Sequence, residues 1–173
     1  GTGEGVSGVL SDFWEYDPLS NAWTQKADFG GGPRYHAVGF SIGAKGYLGT
    51  GYPPFTIATN DFWEYDPGTD SWTQKADVGG PDRRLAVGFS IGAKGYIGTG
   101  RATNDSLLAD MWTYDPSTNL WNQAPDFPGG PTAAAPSFSI AGSGYVLYSE
   151  YGPNYGSFWE YDPVLDSWIR RPF

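Results

Sequence analysis

Short apolar and aromatic runs, separated by Gly- and Pro-rich segments, recur along the chain. An apolar, Gly-containing run at 37–42 is typical of a buried inner strand, and a Gly-rich turn leads into a second strand at 47–51. An aromatic-rich third strand is predicted at 61–65 and a fourth at 71–75. Between them, the turn at 66–70 has a Pro that presets φ and Asp side chains that cap the turn. No segment has a sustained helical period, so we expect almost no helix.

This strand pattern belongs to an internal repeat. The motif Asp-Phe-Trp-Glu-Tyr-Asp-Pro at 12–18 returns, with small changes, at 61–67, 110–116 and 157–163. Its first Trp stands at 14, 63, 112 and 159, in steps of 49, 49 and 47, and a second Trp follows nine residues later each time. Within the motif, strand alternation sends Trp14 and Tyr16 to one side of the sheet and Phe13 to the other. A repeated four-stranded unit of this length is typical of a β-propeller blade.

The repeats resemble the kelch family. Each has a motif Tyr that six residues separate from a Trp, and two units have a Gly-rich end to strand two. That end reads Gly-Thr-Gly at 49–51 and 98–100, where the family has a glycine pair, and Leu147-Tyr148-Ser149 replaces it in the last unit. The resemblance implies an all-β, kelch-type β-propeller, similar to the central domain of galactose oxidase and to bacterial secreted and surface proteins. It therefore favours an extracellular or cell-surface location, with any signal peptide upstream of this sequence.

The repeat phase divides the chain into four units of one propeller segment. We define unit 1 as 1–28, which supplies only strands three and four, and units 2 to 4 as 34–76, 83–124 and 132–173. One half and three full blades do not close a ring, and the resemblance implies six or seven blades in the whole. We therefore expect either a part of a longer polypeptide or several copies completing an assembly. An apolar flank on a terminal unit and an unpaired strand edge would be exposed.

Composition and charge exclude several classes of protein. The chain has 173 residues, a net charge of −9, no Cys and one His. Without Cys there is no disulfide framework, thiolate metal site or cysteine nucleophile. Ten Lys plus Arg against 19 Asp plus Glu disfavour a nucleic-acid partner. No apolar run is long enough to span a membrane.

Variation among the repeats is confined to one predicted face. The loops between strands two and three differ in every unit, whereas the turns of the opposite face repeat almost unchanged. Aromatic side chains in these loops would stack on sugars or anchor a protein partner, or else fold back over the strand ends. They are Tyr52, Phe55, Tyr151 and Tyr155.

The connections between units also vary on this face. In register, 34 matches 83 and 132, 35 matches 84 and 133, and 36 matches 85 and 134. We expect these positions to surround the mouth of a central channel, where a cluster of cationic and aromatic side chains would attract a carboxylate or an anionic sugar. The alternative is that the arginines pair with an acid of a neighbouring blade. The candidate ligand-binding residues here are Arg34, Tyr35, His36, Arg83 and Arg84, together with Arg101 at the start of a variable loop.

Catalytic and metal-binding residues are scarce. One His and no Cys exclude the copper chemistry of galactose oxidase. An acid/base pair built from His36, Glu150 and the arginines, as in a sugar mutarotase, is the remaining enzyme hypothesis. Paired oxygen donors around each Asp-Pro turn, such as Asp66 with Asp70, are too few for calcium and are better explained as turn caps. We assign no catalytic residue, no metal and no cofactor.

The sequence thus favours a non-enzymatic binding or interaction module that holds a glycan or a protein on the variable-loop face. A structural subunit that assembles through its exposed terminal blades into a ring or filament is the alternative. Both rest on fold analogy, because propellers serve many unrelated roles.

Overall fold

Antiparallel strands and tight turns make up the fold. The computed structural model describes residues 2–6, 8–148 and 158–172, and these ranges contain no helix. The prediction of an all-β chain is therefore confirmed for them, and no helix in them is long and apolar enough to cross a membrane. In chain order the strands of units 1 and 2 are β1 (Gly3–Gly5), β2 (Gly8–Leu10), β3 (Phe13–Asp17), β4 (Ala22–Lys26), β5 (Val38–Ile42), β6 (Lys45–Gly51), β7 (Thr59–Asp66) and β8 (Ser71–Gln74).

Units 3 and 4 continue the pattern, with two short extra strands in unit 3. Their strands are β9 (Arg83–Arg84), β10 (Val87–Ile91), β11 (Lys94–Gly98), β12 (Arg101–Ala102), β13 (Met111–Asp115), β14 (Leu120–Ala124), β15 (Ser137–Ile140), β16 (Ser143–Leu147), β17 (Phe158–Asp162) and β18 (Ser167–Arg171).

Each full unit is a four-stranded antiparallel meander. The strand orders are β5-β6-β7-β8, β10-β11-β13-β14 and β15-β16-β17-β18, while β3 pairs with β4 alone. The short β9 pairs with β12 and also meets β7 of unit 2 through Thr59 and Arg83. One difference from the sequence prediction is the hairpin β1–β2, which forms where the pattern predicts the loop that precedes strand three of unit 1. Gly3 and Gly8 allow it, because both have positive φ.

Turn chemistry follows the sequence pattern at all four Asp-Pro turns. In each turn the Asp carboxylate accepts a hydrogen bond from the backbone N–H two residues later, at 2.8 to 2.9 Å. The predicted capping is therefore present. The second Asx residue of each turn has a positive φ and accepts a hydrogen bond from the motif Tyr hydroxyl; these residues are Asn21, Asp70, Asn119 and Asp166.

Two of these Asx residues also join neighbouring units. Asp70 accepts a hydrogen bond from the backbone N–H of Ala27, and Asn119 accepts one from Ala76, each at 3.0 Å. The indole N–H groups of Trp72 and Trp121 donate to the carbonyls of the same two alanines. Each turn thus binds the preceding unit as well as capping its own hairpin.

Aromatic side chains fill the space between successive units. Phe62 of unit 2 packs edge-on against Tyr114 and Trp121 of unit 3, with ring centroids 4.9 and 5.0 Å away. Phe13 of unit 1 meets Tyr65 and Trp72 of unit 2 in the same way. The alternation expected within the motif explains this arrangement. The Phe side of one unit faces the Tyr and Trp side of the next.

The two ends of this row of units are exposed. Trp23 on unit 1 is 65% exposed and Ile140 on unit 4 is 59% exposed, although both positions are covered by a neighbour in the middle units. Within the described residues, β3 has one unpaired edge. The predicted apolar flanks are therefore present.

The glycines at 46, 95 and 144 occupy one repeat position and provide a test of unit packing. A Cβ at Gly95 would lie 2.5 Å from Cε2 of Phe40 in the preceding unit, and one at Gly144 would overlap the ring of Phe89. At Gly46 the nearest atom would be 3.6 Å away, on Tyr65 of the same unit. We expect Gly95→Ala and Gly144→Ala each to lower the free energy of unfolding by about 1–3 kcal/mol through overpacking.

Gly46→Ala is the matched control and should change the free energy of unfolding by less than about 0.5 kcal/mol. Urea denaturation monitored by Trp fluorescence measures all three. An equal loss at Gly46 would show that backbone preference, rather than contact between units, sets the requirement for glycine.

Candidate functional site

Two of the predicted ligand-binding arginines are buried in ion pairs. Arg34 is 1% exposed, and its Nη1 and Nη2 lie 2.5 and 2.9 Å from the carboxylate oxygens of Asp61. Arg83 is 0% exposed and makes the same bidentate pair with Asp110, at 3.0 and 2.6 Å. A planar guanidinium suits this geometry, since two parallel hydrogen bonds fix its orientation. Neither arginine faces an open surface.

The acid in each pair belongs to the same unit as its arginine, and not to a neighbouring blade as the sequence alternative had it. The arginine precedes the first long strand of its unit, and the aspartate lies in the first half of the motif strand (Asp61) or just before it (Asp110), so the pair links the entry to the first strand with the third strand of the same sheet. Each guanidinium also donates to the backbone carbonyl of Thr50 or Thr99 at the end of strand two. These contacts give Arg34 and Arg83 a structural role.

The charge state of Asp61 is consistent with that role. Burial by itself would raise the pKa of this carboxyl, but hydrogen bonds and the charge of Arg34, with further hydrogen bonds from Thr59 and Trp63, outweigh burial. The pKa of Asp61 therefore lies below its usual value, and the carboxylate is ionised opposite Arg34 at neutral pH.

The residues next to these arginines form cross-strand pairs that differ between units. In unit 2, Tyr35 and Tyr52 are paired, with reciprocal backbone hydrogen bonds of 3.0 and 2.9 Å. In unit 3, Arg84 and Arg101 occupy the matching positions and are paired in the same register. An aromatic pair and an arginine pair therefore occupy one repeat position in adjacent units.

The aromatic pair lines a cleft. This aromatic cleft has a volume of about 530 Å³ and is formed by Gly8, Val9, Tyr35, Tyr52, Pro54 and Phe55. The cleft lies between two units. The hairpin β1–β2 of unit 1 supplies Gly8 and Val9, and unit 2 supplies the other four lining residues. Phe55 is fully exposed and has a positive φ, so the loop holds this ring out toward solvent.

The arginine pair adjoins the aromatic cleft through a stacking contact. The guanidinium carbon of Arg84 lies 5.2 Å from the centroid of the Tyr52 ring, within the range of a cation-π interaction. Arg84 also pairs with Asp105 at 2.5 Å, and Arg101 donates to the backbone carbonyl of Asp105 at 3.2 Å. Asp105 thus contacts both guanidinium groups, Arg84 through its carboxylate and Arg101 through its backbone carbonyl. The group has a surplus positive charge on a chain of net charge −9.

His36 lies beside the cleft. It is exposed, has a positive φ, and its ring is 6.0 Å from that of Tyr35. Its carbonyl accepts a hydrogen bond from the N–H of Leu85, and the carbonyl of Leu85 accepts one from Ala134. The three residues that the repeat alignment made equivalent therefore lie next to one another in successive units.

Three of the residues named in the sequence analysis lie outside the residues that the structure describes, and three residues of the site were not predicted from the sequence. Tyr151 and Tyr155 fall within 149–157, outside the described residues, as does Glu150. Sequence reasoning did not select Val9, Pro54 or Asp105. The equivalence of 52 with 101, at the same step of 49, was the signal that would have linked the aromatic pair to the arginine pair.

A second cleft is lined by residues that flank the arginine pair in the chain. It has a volume of about 470 Å³, is open to solvent, and is lined by Gly80, Pro81, Asp82, Ala102, Thr103, Asn104 and Ser106. Among the described residues, no three or more His, Asp or Glu side chains are grouped so that they would hold a metal ion.

Comparison with known proteins supports the fold alone. No family model matches the chain, and no curated protein matches it. The chain is similar to the solved structure of YjhT, with a TM-score of 0.79 and 22% identity. The match covers 98% of this chain and 61% of that one, so this chain spans less than two thirds of the length of YjhT. The likeness is consistent with a β-propeller-like domain made of small antiparallel sheets.

Proposed function

We propose that this chain is a kelch-type propeller segment that acts as a non-enzymatic binding module, outside the cell or on its surface. Its variable-loop face holds a glycan or a protein partner. The observation that carries the proposal is the continuity of the aromatic cleft with the arginine pair through the Arg84–Tyr52 stack. Tyr and Arg are among the side chains that most often supply binding energy at recognition surfaces, and Phe is enriched there as well.

The repeat itself does not require these side chains. Unit 2 has Tyr35 where unit 3 has Arg84 and unit 4 has Ala133, yet all three units form the same sheet. By contrast, Arg34 and Arg83 are the same residue in two units and are buried in both. Side chains that the fold leaves free to vary, and that line an open cleft, are suited to ligand contact.

Substitution in the cleft tests this function. We expect Tyr52→Ala and Arg84→Ala each to weaken ligand capture at least tenfold, because each removes one side of the stacked pair. Glycan-array and partner-capture binding, followed by titration calorimetry on any hit, measures the loss. Lys94→Ala is the control, since Lys94 is exposed at the start of β11, directly after the turn from β10 and at the opposite end of the strand from the variable loop. Binding that survives both cleft variants would place the ligand elsewhere.

Assembly is a second candidate function, favoured by the exposed flanks. Trp23 and Ile140 occupy positions that are packed between units elsewhere in the chain. If copies associate through these flanks, light scattering over a concentration series will show mass rising with concentration, and Trp23→Ser will reduce the rise. A constant monomer mass across the series would exclude assembly through these flanks.

A further inference from the structure

We infer that the occupant of the variable-loop face is a segment of a partner protein in which apolar and acidic residues lie close together. This inference rests on the proposed function and chooses between its two ligand classes. It is carried by three features of the described residues: exposed aliphatic side chains around the cleft, the surplus charge of the arginine pair, and the short distance between the two.

The rim of the cleft, meaning its lining residues and those next to them in the chain, is aliphatic as well as aromatic. Val9 and Pro54 line the cleft. Val6, in the turn of the hairpin β1–β2 that supplies Val9, is fully exposed, and Ile57, two residues after Phe55, is 57% exposed. Aromatic rings can stack on a sugar, but Val and Ile offer a sugar neither a π face nor a hydrogen bond. An exposed group of Val, Ile, Phe and Pro is typical of a surface that another protein covers. The rim therefore favours a protein over a glycan.

The arginine pair indicates that the partner carries a negative charge at this point. Arg84 and Arg101 are direct cross-strand neighbours, and like charges in that position destabilise a sheet. Asp105 relieves this only in part, because its carboxylate pairs with Arg84 while Arg101 reaches its backbone carbonyl. A carboxylate from a partner would complete the neutralisation. On a chain with net charge −9, it would also be drawn to this patch rather than to the surrounding surface.

The geometry indicates the spacing of the partner's residues. The Arg84 guanidinium lies 5.2 Å from the Tyr52 ring, and Tyr52 is itself a wall of the cleft. In an extended peptide, residues i and i+2 point to the same side and are about 6.4–6.8 Å apart. An apolar side chain in the aromatic cleft would therefore place an acidic side chain two residues away beside Arg84. The motif expected in the partner is apolar-x-acidic, read in either chain direction.

Peptide selection tests the inference directly. A random 12-residue peptide library displayed on phage is panned against the whole chain, and bound phage are counter-selected on the Arg84→Ala/Arg101→Ala variant. We expect the recovered peptides to be enriched in Leu, Phe or Trp two residues from Asp or Glu. As synthetic peptides, they should bind at least tenfold more weakly to Arg84→Ala and to Tyr52→Ala, and more weakly at high salt.

Matched controls separate the possible outcomes. The same peptides with Asn and Gln for Asp and Glu should lose the salt dependence and most of the affinity, and Lys94→Ala should bind like wild type. Arg84→Lys keeps the charge but loses the planar group, so it should bind at an intermediate strength; thermal melting shows that each variant folds. Peptides without an acidic preference, or binding that Arg84→Ala leaves unchanged, would overturn the inference.

The same experiment includes a carbohydrate arm. Polygalacturonate serves as the anionic probe and cellohexaose as the neutral one. Capture of either sugar, lost in Tyr52→Ala and without any peptide binding, would overturn the protein partner while leaving the binding function intact. If neither peptides nor sugars bind, both the inference and the proposed function fail.

Discussion

Replacing Asp110 by Ala is expected to lower the free energy of unfolding by about 3–5 kcal/mol, the usual loss when one partner of a buried ion pair is removed. Arg83 is 0% exposed, so the variant leaves a buried guanidinium without its carboxylate. The indole N–H of Trp112 loses its acceptor in the same step, because it also donates to Asp110, at 2.7 Å. Urea denaturation at neutral pH measures the effect.

The chain offers two comparisons for this variant. Lys45→Ala removes a partly exposed ion pair with Asp66 and should lower the free energy of unfolding far less than Asp110→Ala does, because exposed ion pairs contribute little to stability. The double variant Arg83→Thr/Asp110→Ser installs the residues that unit 4 has at these positions, 132 and 157. It should lose less stability than Asp110→Ala alone, since no charge is then buried. A loss from Asp110→Ala no greater than that from Lys45→Ala would show that the pair does not stabilise the fold.

Phe62→Ala is expected to lower the free energy of unfolding by about 3–5 kcal/mol. The Phe62 ring is 0% exposed and contacts the rings of Tyr47, Tyr114 and Trp121, so it joins units 2 and 3. In a row of repeats, stability depends strongly on the interface between neighbours. Truncation of this ring should therefore weaken the whole row, visible as a lower urea midpoint.

Phe158→Ala is the matched control, because Phe158 holds the same repeat position in unit 4. Its described ring contacts are with Phe138 and Tyr145 of its own unit, and it is only partly buried. The variant should lose clearly less stability than Phe62→Ala. Equal losses at the two positions would mean that packing within a unit, rather than between units, accounts for the effect.

Much of the fold could be predicted from the repeat. The predicted strands at 37–42, 47–51, 61–65 and 71–75 correspond to β5, β6, β7 and β8, with no end shifted by more than two residues. Glycine, Pro and Asx residues set these turns locally, so their signal is strong in the sequence. The short strands β9 and β12 could not be predicted in this way, because they form only when a connection meets the end of another strand.

The candidate site was only partly predictable. The alignment of the repeats places Arg34 and Arg84 at adjacent repeat positions, and it therefore predicts that both bind a ligand on the variable-loop face. The structure separates them, since Arg34 is buried against Asp61 whereas Arg84 stacks on Tyr52 and stays partly exposed. Strand alternation sends adjacent side chains to opposite sides, but the sequence does not say which side is covered.

The sequence by itself determined the number and phase of the repeats, the turns, and the separation of the motif Phe from the motif Trp and Tyr. These follow from local backbone preference and from alternation, which act over a few residues. Only the tertiary structure decided which copies of a repeated residue are buried, and which arginines are left for a ligand. Burial depends on the neighbouring unit: Phe62 is enclosed and Phe158 is not, although their motifs are almost the same.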